Sequence, residues 1–368
     1  MAKRERPPKA APVVEVSELE QFRNEINERF KGALKFGNDP DLAPVVLATG
    51  IPSLDHILEG GLQRGQMTLI TGEFSNGKST LCLLACKQAI DAGEIAVFID
   101  AERSYNPDWA EKLGVDTSKL LVSQPPTGEM AFDIARAMIN RAGVIVIDSL
   151  IALVPTKEVE KEQETPGDQA RLIGRGIRSF LPHMTQKKTA ILMTNQMRMQ
   201  IGVMFGNPEF IPGGKAQRFY SYQHVRCRRG AWIEEPFLDA NGKTVKVGNK
   251  LKMRKLGFHM RFICEKSKGG EPYRECEVPF TFDGVFDTEA AVYDTAIELG
   301  LIAKRGANYA APGITTETWF GAAKMKQWFG EHLEQWETLR RQVFTEGRVL
   351  GDGVVETGAT EEDEVSFE

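Results

Sequence analysis

Residues 67–80 read MTLITGEFSNGKST. Five residues of strand character run into Gly72, and Gly72-Glu73-Phe74-Ser75-Asn76-Gly77-Lys78-Ser79 fits the pattern GxxxxGK[ST]. A helix-compatible stretch follows over 79–92. Strand, glycine-rich loop and helix in that order make a phosphate-binding loop. Glycines let backbone N–H groups turn inward toward phosphate oxygens, and the helix N-terminus adds the positive end of its dipole. Lys78 brings a mobile charge to the β- and γ-phosphates, and Ser79 offers a hydroxyl to Mg²⁺.

Working outward, the same alternation repeats from about residue 45 to 228. Short apolar runs at 95–100, 144–148 and 189–194 read as buried strands. Helix patterns at 107–113 and 129–142 lie between them. That predicts an α/β domain with a mainly parallel sheet, whose ligands sit at the carboxyl ends of its strands. Asp148 closes the run Val144-Ile145-Val146-Ile147, placing a carboxylate at a strand tip where it can hold Mg²⁺. Glu102 lies just past the 95–100 strand and suits the orientation of an attacking water. Gln196 follows the 189–194 run and can report the state of a γ-phosphate.

The flanks read differently. Residues 1–15 look like a disordered arm. Ser17 and Glu20 form a capping-box pattern, and Leu19, Phe22, Ile26, Phe30 and Leu34 draw one apolar helix stripe within 16–44. A helix behind such an arm suits docking on a neighbouring subunit. The core is expected over 45–286, with 230–285 as a basic antiparallel hairpin region. A small α+β domain is expected over 287–350, with helices at 290–299 and 325–344. Residues 351–368 are expected to be an acidic, disordered tail; from 354 onward the sequence holds six acids and no base.

Two segments read as functional loops, 156–169 and 197–214. The second mixes Met197, Met199, Ile201 and Phe205 with Arg198 and several glycines, a composition suited to contact with an unpaired polynucleotide. Lys215, Arg218, Arg226, Arg228 and Arg229 follow with no acid among them. Nine more basic residues lie within 243–268 against the single Glu265.

Composition bounds the rest. The chain has 368 residues, 42% hydrophobic and 26% charged, with net charge −5. That suits a globular protein with a sizeable core and sets aside fibrous and wholly disordered classes. No apolar run approaches the roughly 18–20 residues of a membrane span, so no membrane association is expected. Five cysteines, at 82, 86, 227, 264 and 276, form no CxxC pair and no disulfide framework. The cytoplasm is the expected compartment.

With these motifs in place the chain resembles RecA-type homologous-recombination ATPases of bacteria and phages. The resemblance spans 17–310 and rests on 72–80, on FIDAERSYNP at 98–107, on 113–128 and 144–149, and above all on NQMRMQIGVMFGNP at 195–208 with Gly213-Gly214 after it. It implies a RecA-like P-loop core and a filament on single-stranded DNA that pairs it with homologous duplex, using DNA-stimulated ATP hydrolysis. Gly72 to Thr80 would bind ATP with Trp109 stacking on adenine, and Ser79 and Asp148 would hold Mg²⁺. Glu102, Lys78, Gln196 and the pair Lys266 and Lys268 would be catalytic, the two lysines reaching a neighbour's ATP. Arg171, Arg178, Met197, Arg198, Met199, Ile201, Gly213, Gly214, Arg228 and Arg229 would face DNA, and Phe219 a neighbouring subunit. Expected partners are single-stranded and duplex DNA, further copies of the chain, and single-strand-binding and mediator proteins. A hexameric helicase or motor on the same fold is the alternative. The chain departs from the family pattern at Ser79 for Thr, at Trp109 for Tyr, at Pro166 in the first loop, and over 231–259, which looks longer.

Overall fold

A computed structural model describes residues 16–30, 34–161, 167–184, 186, 188–199, 209–239 and 241–349. By contacts the chain divides into residues 1–43 and 44–368.

In the first unit, the helix Val16–Phe30 forms as the apolar spacing predicts. Ser17 is not its N-cap: it lies inside the helix, one residue after its first. Leu19, Phe22 and Phe30 are all exposed. Asn27 exchanges two side-chain hydrogen bonds with the backbone of Leu34, at 2.9 and 2.7 Å, and so fixes the chain just past the helix.

The second unit is built on an eight-stranded sheet. In spatial order it runs Glu275–Thr281, Met253–Ser267, Gln223–Pro236, Met67–Gly72, Ala190–Gln196, Val144–Asp148, Ala96–Asp100 and Leu120–Ser123. The six strands from Gln223–Pro236 to Leu120–Ser123 are mutually parallel. The remaining two, Met253–Ser267 and Glu275–Thr281, join by antiparallel pairing at the other edge. The central parallel strands are buried along their length, which is why their sequences are continuous apolar runs instead of alternating ones. Two apolar layers cover the faces. One joins the helix Lys78–Asp91, through Leu81, Cys82, Ala85 and Cys86, to Phe258, Phe262 and Phe280. The other joins Gly128–Met138 and Asp168–Phe180 to Ile145, Ile147 and Met193.

Three expectations change. The bases Arg226, Arg228 and Arg229 sit on a long strand, Gln223–Pro236, that is a member of the main sheet, with Val225 and Cys227 in the core. Residues 156–161 form the helix Thr156–Lys161, whose first turn is held by Glu129 accepting from the Thr156 N–H (2.9 Å) and hydroxyl (2.8 Å). The single helix expected over 325–344 is two, Ala322–Glu331 and Leu333–Val349. The break falls at His332, whose ring stacks on Trp328 at 4.0 Å.

Beyond residue 287 the chain has its own apolar cluster, centred on Tyr293, Trp319, Met325, Phe329 and Leu339. It sits between three helices and the antiparallel sheet of Ala303–Arg305, Asn308–Ala310 and Thr318–Phe320. The helices Thr288–Glu298 and Leu333–Val349 pack on Pro52–Ile57 of the core. Among the described residues no helix is long and apolar enough to cross a membrane. Pro166, Ile201, Phe205 and the acidic tail lie outside the described residues.

Candidate functional site

The phosphate loop leaves the sheet at Gly72 and enters the helix Lys78–Asp91 through Gly77. Both glycines are required by shape. A Cβ on Gly72 would lie 2.4 Å from the Cys227 carbonyl oxygen, and Gly77, at φ +85°, would place one 2.2 Å from Met260 Cε. Phe74 is 73% exposed at the tip of the loop, whereas Asn76 is buried. The Lys78 ammonium folds back over the loop and donates to the carbonyls of Gly72 (3.1 Å) and Glu73 (2.7 Å). Burial pushes its pKa below the ordinary lysine value, and the nearby Asp148 and Glu102 charges pull the other way.

Parallel strands bring the other candidates to the same end of the sheet. Gly72 pairs with Gln196, and Asp100 with Asp148. Asp148 is buried and accepts from two hydroxyls: Ser79 Oγ at 2.6 Å on Oδ2, and Thr194 Oγ1 on Oδ1. Burial, reinforced by the Glu102 charge, holds its carboxyl above the usual range even though both hydroxyls favour the charged form. Glu102 is exposed and oriented from below: Ser149 Oγ donates to its Oε1, and the Glu102 N–H reaches the Asp148 carbonyl at 3.3 Å. The Gln196 amide lies 3.4 Å from the same Oε1. The next residue, Met197, donates its backbone N–H to the Gly72 carbonyl at 3.2 Å. The phosphate loop and the start of the 197–214 segment therefore share a backbone contact.

That segment closes on a short ladder, Arg198 opposite Phe210 and Met199 opposite Glu209. Arg198 and Met199 are exposed. Gly213 and Gly214, both at positive φ, pack against Ile173 and Ala170 of the helix Asp168–Phe180. Asn195 holds this exit by donating to the Pro212 carbonyl (2.9 Å) and to Gln217 Oε1 (2.7 Å). On the same helix Arg171, Arg175 and Arg178 are exposed at spacings of four and three, which makes one cationic face. Arg228 and Arg229, as neighbours on one strand, point to opposite sides of the sheet. Arg228 lies 3.7 Å from Glu209, whereas Arg229 stacks over Trp232 at 4.6 Å.

Three candidates stand apart from the phosphate loop's own contacts. Trp109 is half-buried, edge-on to Phe280 at 6.0 Å. Lys266 donates to the carbonyls of Arg218, Phe219 and Ser221, capping the short helix Ala216–Tyr220 that leaves Phe219 72% exposed. The Lys268 backbone N–H bonds the Tyr222 carbonyl at 3.1 Å.

Sequence reasoning missed Ser149, Thr194, Asn195, Arg175 and Gln217. Only Arg175 carried a usable signal, its spacing between Arg171 and Arg178. The others are small polar residues that matter because distant strands converge.

Comparison with known proteins agrees with this geometry. The sequence model of the RecA N-terminal domain family matches residues 17–282. Protein RecA of Thermus aquaticus is 36% identical over 343 residues, covering 89% of this chain and 93% of that protein. Protein RecA of Chlorobaculum tepidum is 35% identical over 354 residues, covering 93% and 97%. Protein RecA of Acidothermus cellulolyticus is 39% identical over 289 residues, covering 77% and 79%. With the strand order, the phosphate loop and the match over most of its length, the chain belongs to the RecA family.

Proposed function

We propose that the chain is a DNA-dependent ATPase that assembles on single-stranded DNA and exchanges it with homologous duplex, working through the residues gathered at Gly72, Asp148 and Gln196. One observation carries the reading: the nucleotide loop and the candidate DNA loop meet directly, through the Met197 N–H on Gly72 and the Gln196 amide beside Glu102. Family membership supports the same activity and does not favour a closed-ring helicase.

The chain's own residues divide the work. Backbone N–H groups from Glu73 to Thr80 and the N-terminus of Lys78–Asp91 hold phosphate oxygens. Lys78 exchanges its carbonyl partners for phosphate. Trp109 supplies a flat apolar face for the base. The paired Ser79 hydroxyl and buried Asp148 carboxylate fit Mg²⁺, which keeps part of its shell for water and phosphate. When bound, MgATP supplies a γ-phosphoryl group whose charge must be neutralised as the bond to it breaks. Glu102, aimed by Ser149, orients the attacking water.

Gln196 exchanges Glu102 for the phosphate when nucleotide binds and so repositions 197–214. Arg171, Arg178, Met197, Arg198, Met199, Ile201, Gly213, Gly214, Arg228 and Arg229 then face the DNA, joined by Arg175. Between copies of the chain, the exposed Leu19, Phe22 and Phe30 and the exposed Phe219 bury against a neighbour, while Lys266 and Lys268 reach its nucleotide. Single-strand-binding and mediator proteins are further partners, and the cytoplasm of a bacterial or phage-infected cell is the compartment. The test is phosphate release with and without single-stranded DNA, followed by strand exchange between a circular single strand and a linear duplex. Turnover that rises with DNA, and joint molecules that require ATP, are expected; turnover indifferent to DNA overturns the reading.

A further inference from the structure

On the strand Gln223–Pro236, Val225 and Cys227 enter the core, so His224, Arg226 and Arg228 share the opposite face. Its pairing with Met253–Ser267 slips at one informative place. His224 pairs with Lys266 and Val225 with Cys264, which leaves Glu265 as the extra residue of a bulge. A bulge re-aims the side chain it carries. Glu265 Oε2 lies 3.3 Å from His224 Nδ1, and its Oε1 accepts from Arg226 Nη1 at 3.2 Å. His224 Nε2 lies 2.8 Å from the hydroxyl of Thr71, the residue before Gly72. The other guanidinium nitrogen, Arg226 Nη2, donates to Glu209.

A continuous line of contacts thus runs Thr71, His224, Glu265, Arg226, Glu209. It starts one residue before the phosphate loop, passes beside Lys266, and ends on the ladder that closes the base of 197–214. A cleft of about 300 Å³ has Glu73 and Asn76 of the phosphate loop together with Glu209, Arg226 and Arg228 in its lining. Arg226 is 7% exposed and His224 1%. A buried guanidinium held between two carboxylates is costly to place and costly to unpair, so it fixes geometry more than it adds stability. The near stem of 197–214 is already tied to Gly72 by Met197. Without Arg226 the far strand of the ladder would lose its buried ion pair to the same sheet and keep the longer 3.7 Å approach of the half-exposed Arg228.

We propose that Arg226 is a positioning residue that clamps the base of the 197–214 segment, through Glu209, to the bulged strand beside Lys266, so that nucleotide-dependent movement at either stem is passed to the whole loop. The inference rests on the proposed DNA role of that loop. Arg226 touches no reacting atom; it acts through Glu209 and Glu265.

The test compares wild type with Glu209→Gln, Arg226→Gln and the double variant. Phosphate release is read without DNA and with saturating single-stranded oligonucleotide, and urea midpoints check the fold. Each single variant is expected to keep DNA-free turnover within about twofold and to lose roughly tenfold in DNA stimulation. The double variant is expected to be no worse than either single one, because both remove the same link. Stimulation retained by Glu209→Gln, additive losses in the double variant, or DNA-free turnover falling in parallel overturns the clamp. If Arg226→Gln does not fold, Glu209→Gln decides alone. If wild-type turnover ignores DNA, the functional reading itself falls and takes the clamp with it; if wild type responds and Glu209→Gln responds equally, only the clamp falls.

Discussion

The side-chain amide of Gln196 sits 3.4 Å from the Glu102 carboxylate that Ser149 also holds. The residue that would orient water and the residue that opens the candidate DNA loop are therefore direct neighbours. Removing the Gln196 amide leaves Glu102 held by Ser149 but cuts it off from the loop. Gln196→Ala should keep DNA-free turnover within about twofold and lose DNA stimulation on the order of tenfold, read by steady-state phosphate release. Full stimulation in that variant would count against the link.

The charge on Asp148 opposes folding. Burial raises its pKa in the folded chain, so the ionised form is penalised above the unfolded value of 3.8, and the penalty fades as pH falls toward it. Asp148→Asn should raise the Tm at pH 7, and the gain should shrink as the buffer is brought toward pH 4. The same variant should lose Mg²⁺-dependent hydrolysis. A Tm lowered at pH 7 would show that the carboxylate is stabilised by its hydroxyl partners instead.

His224 behaves in the opposite direction. Burial, with Arg218, Arg226 and Lys266 nearby, lowers its pKa to about 3. Glu265 lies 3.3 Å from its Nδ1, but that carboxylate is shared with Arg226. A depressed pKa gives stability that is whole above the unfolded value of 6.5 and lost as pH falls below it. Between pH 7 and 5, wild type should lose about 2 kcal/mol more than His224→Gln in urea melts. Equal losses would refute the buried neutral state.

Gly72→Ala tests the approach of the phosphate loop to the neighbouring strand. The new methyl would stand 2.4 Å from a backbone oxygen that has no rotamer to escape by. A loss of about 1–3 kcal/mol is expected in urea unfolding, along with weaker nucleotide binding. A variant as stable as wild type would mean the loop can slide off Cys227 freely.

How legible all this was depends on distance along the chain. The strand Val144–Asp148 and the loop at 72–79 could be read directly because buried parallel strands and phosphate loops write themselves in consecutive residues. Glu102 and Gln196 followed because strand tips at one edge of a parallel sheet converge. Ser149 and Thr194 could not be found that way, since one hydroxyl in a sequence says nothing about which carboxylate it will meet. Arg226 shows the other limit. Among bases it looked like part of a surface patch, but Glu209 and Glu265 bury it in the sheet. The helix break at His332 was hidden because the apolar spacing continues across it.

The most direct measurement is the affinity for a fluorescein-labelled oligonucleotide, read by anisotropy with and without MgATP, for wild type and Lys78→Ala. The Lys78 ammonium hydrogen-bonds to loop carbonyls of Gly72 and Glu73, so its loss should spare the fold. The account predicts that MgATP tightens wild-type binding at least about tenfold, a coupling of roughly 1.4 kcal/mol, and leaves the variant unchanged. Wild-type binding that is equally tight in both conditions would contradict it.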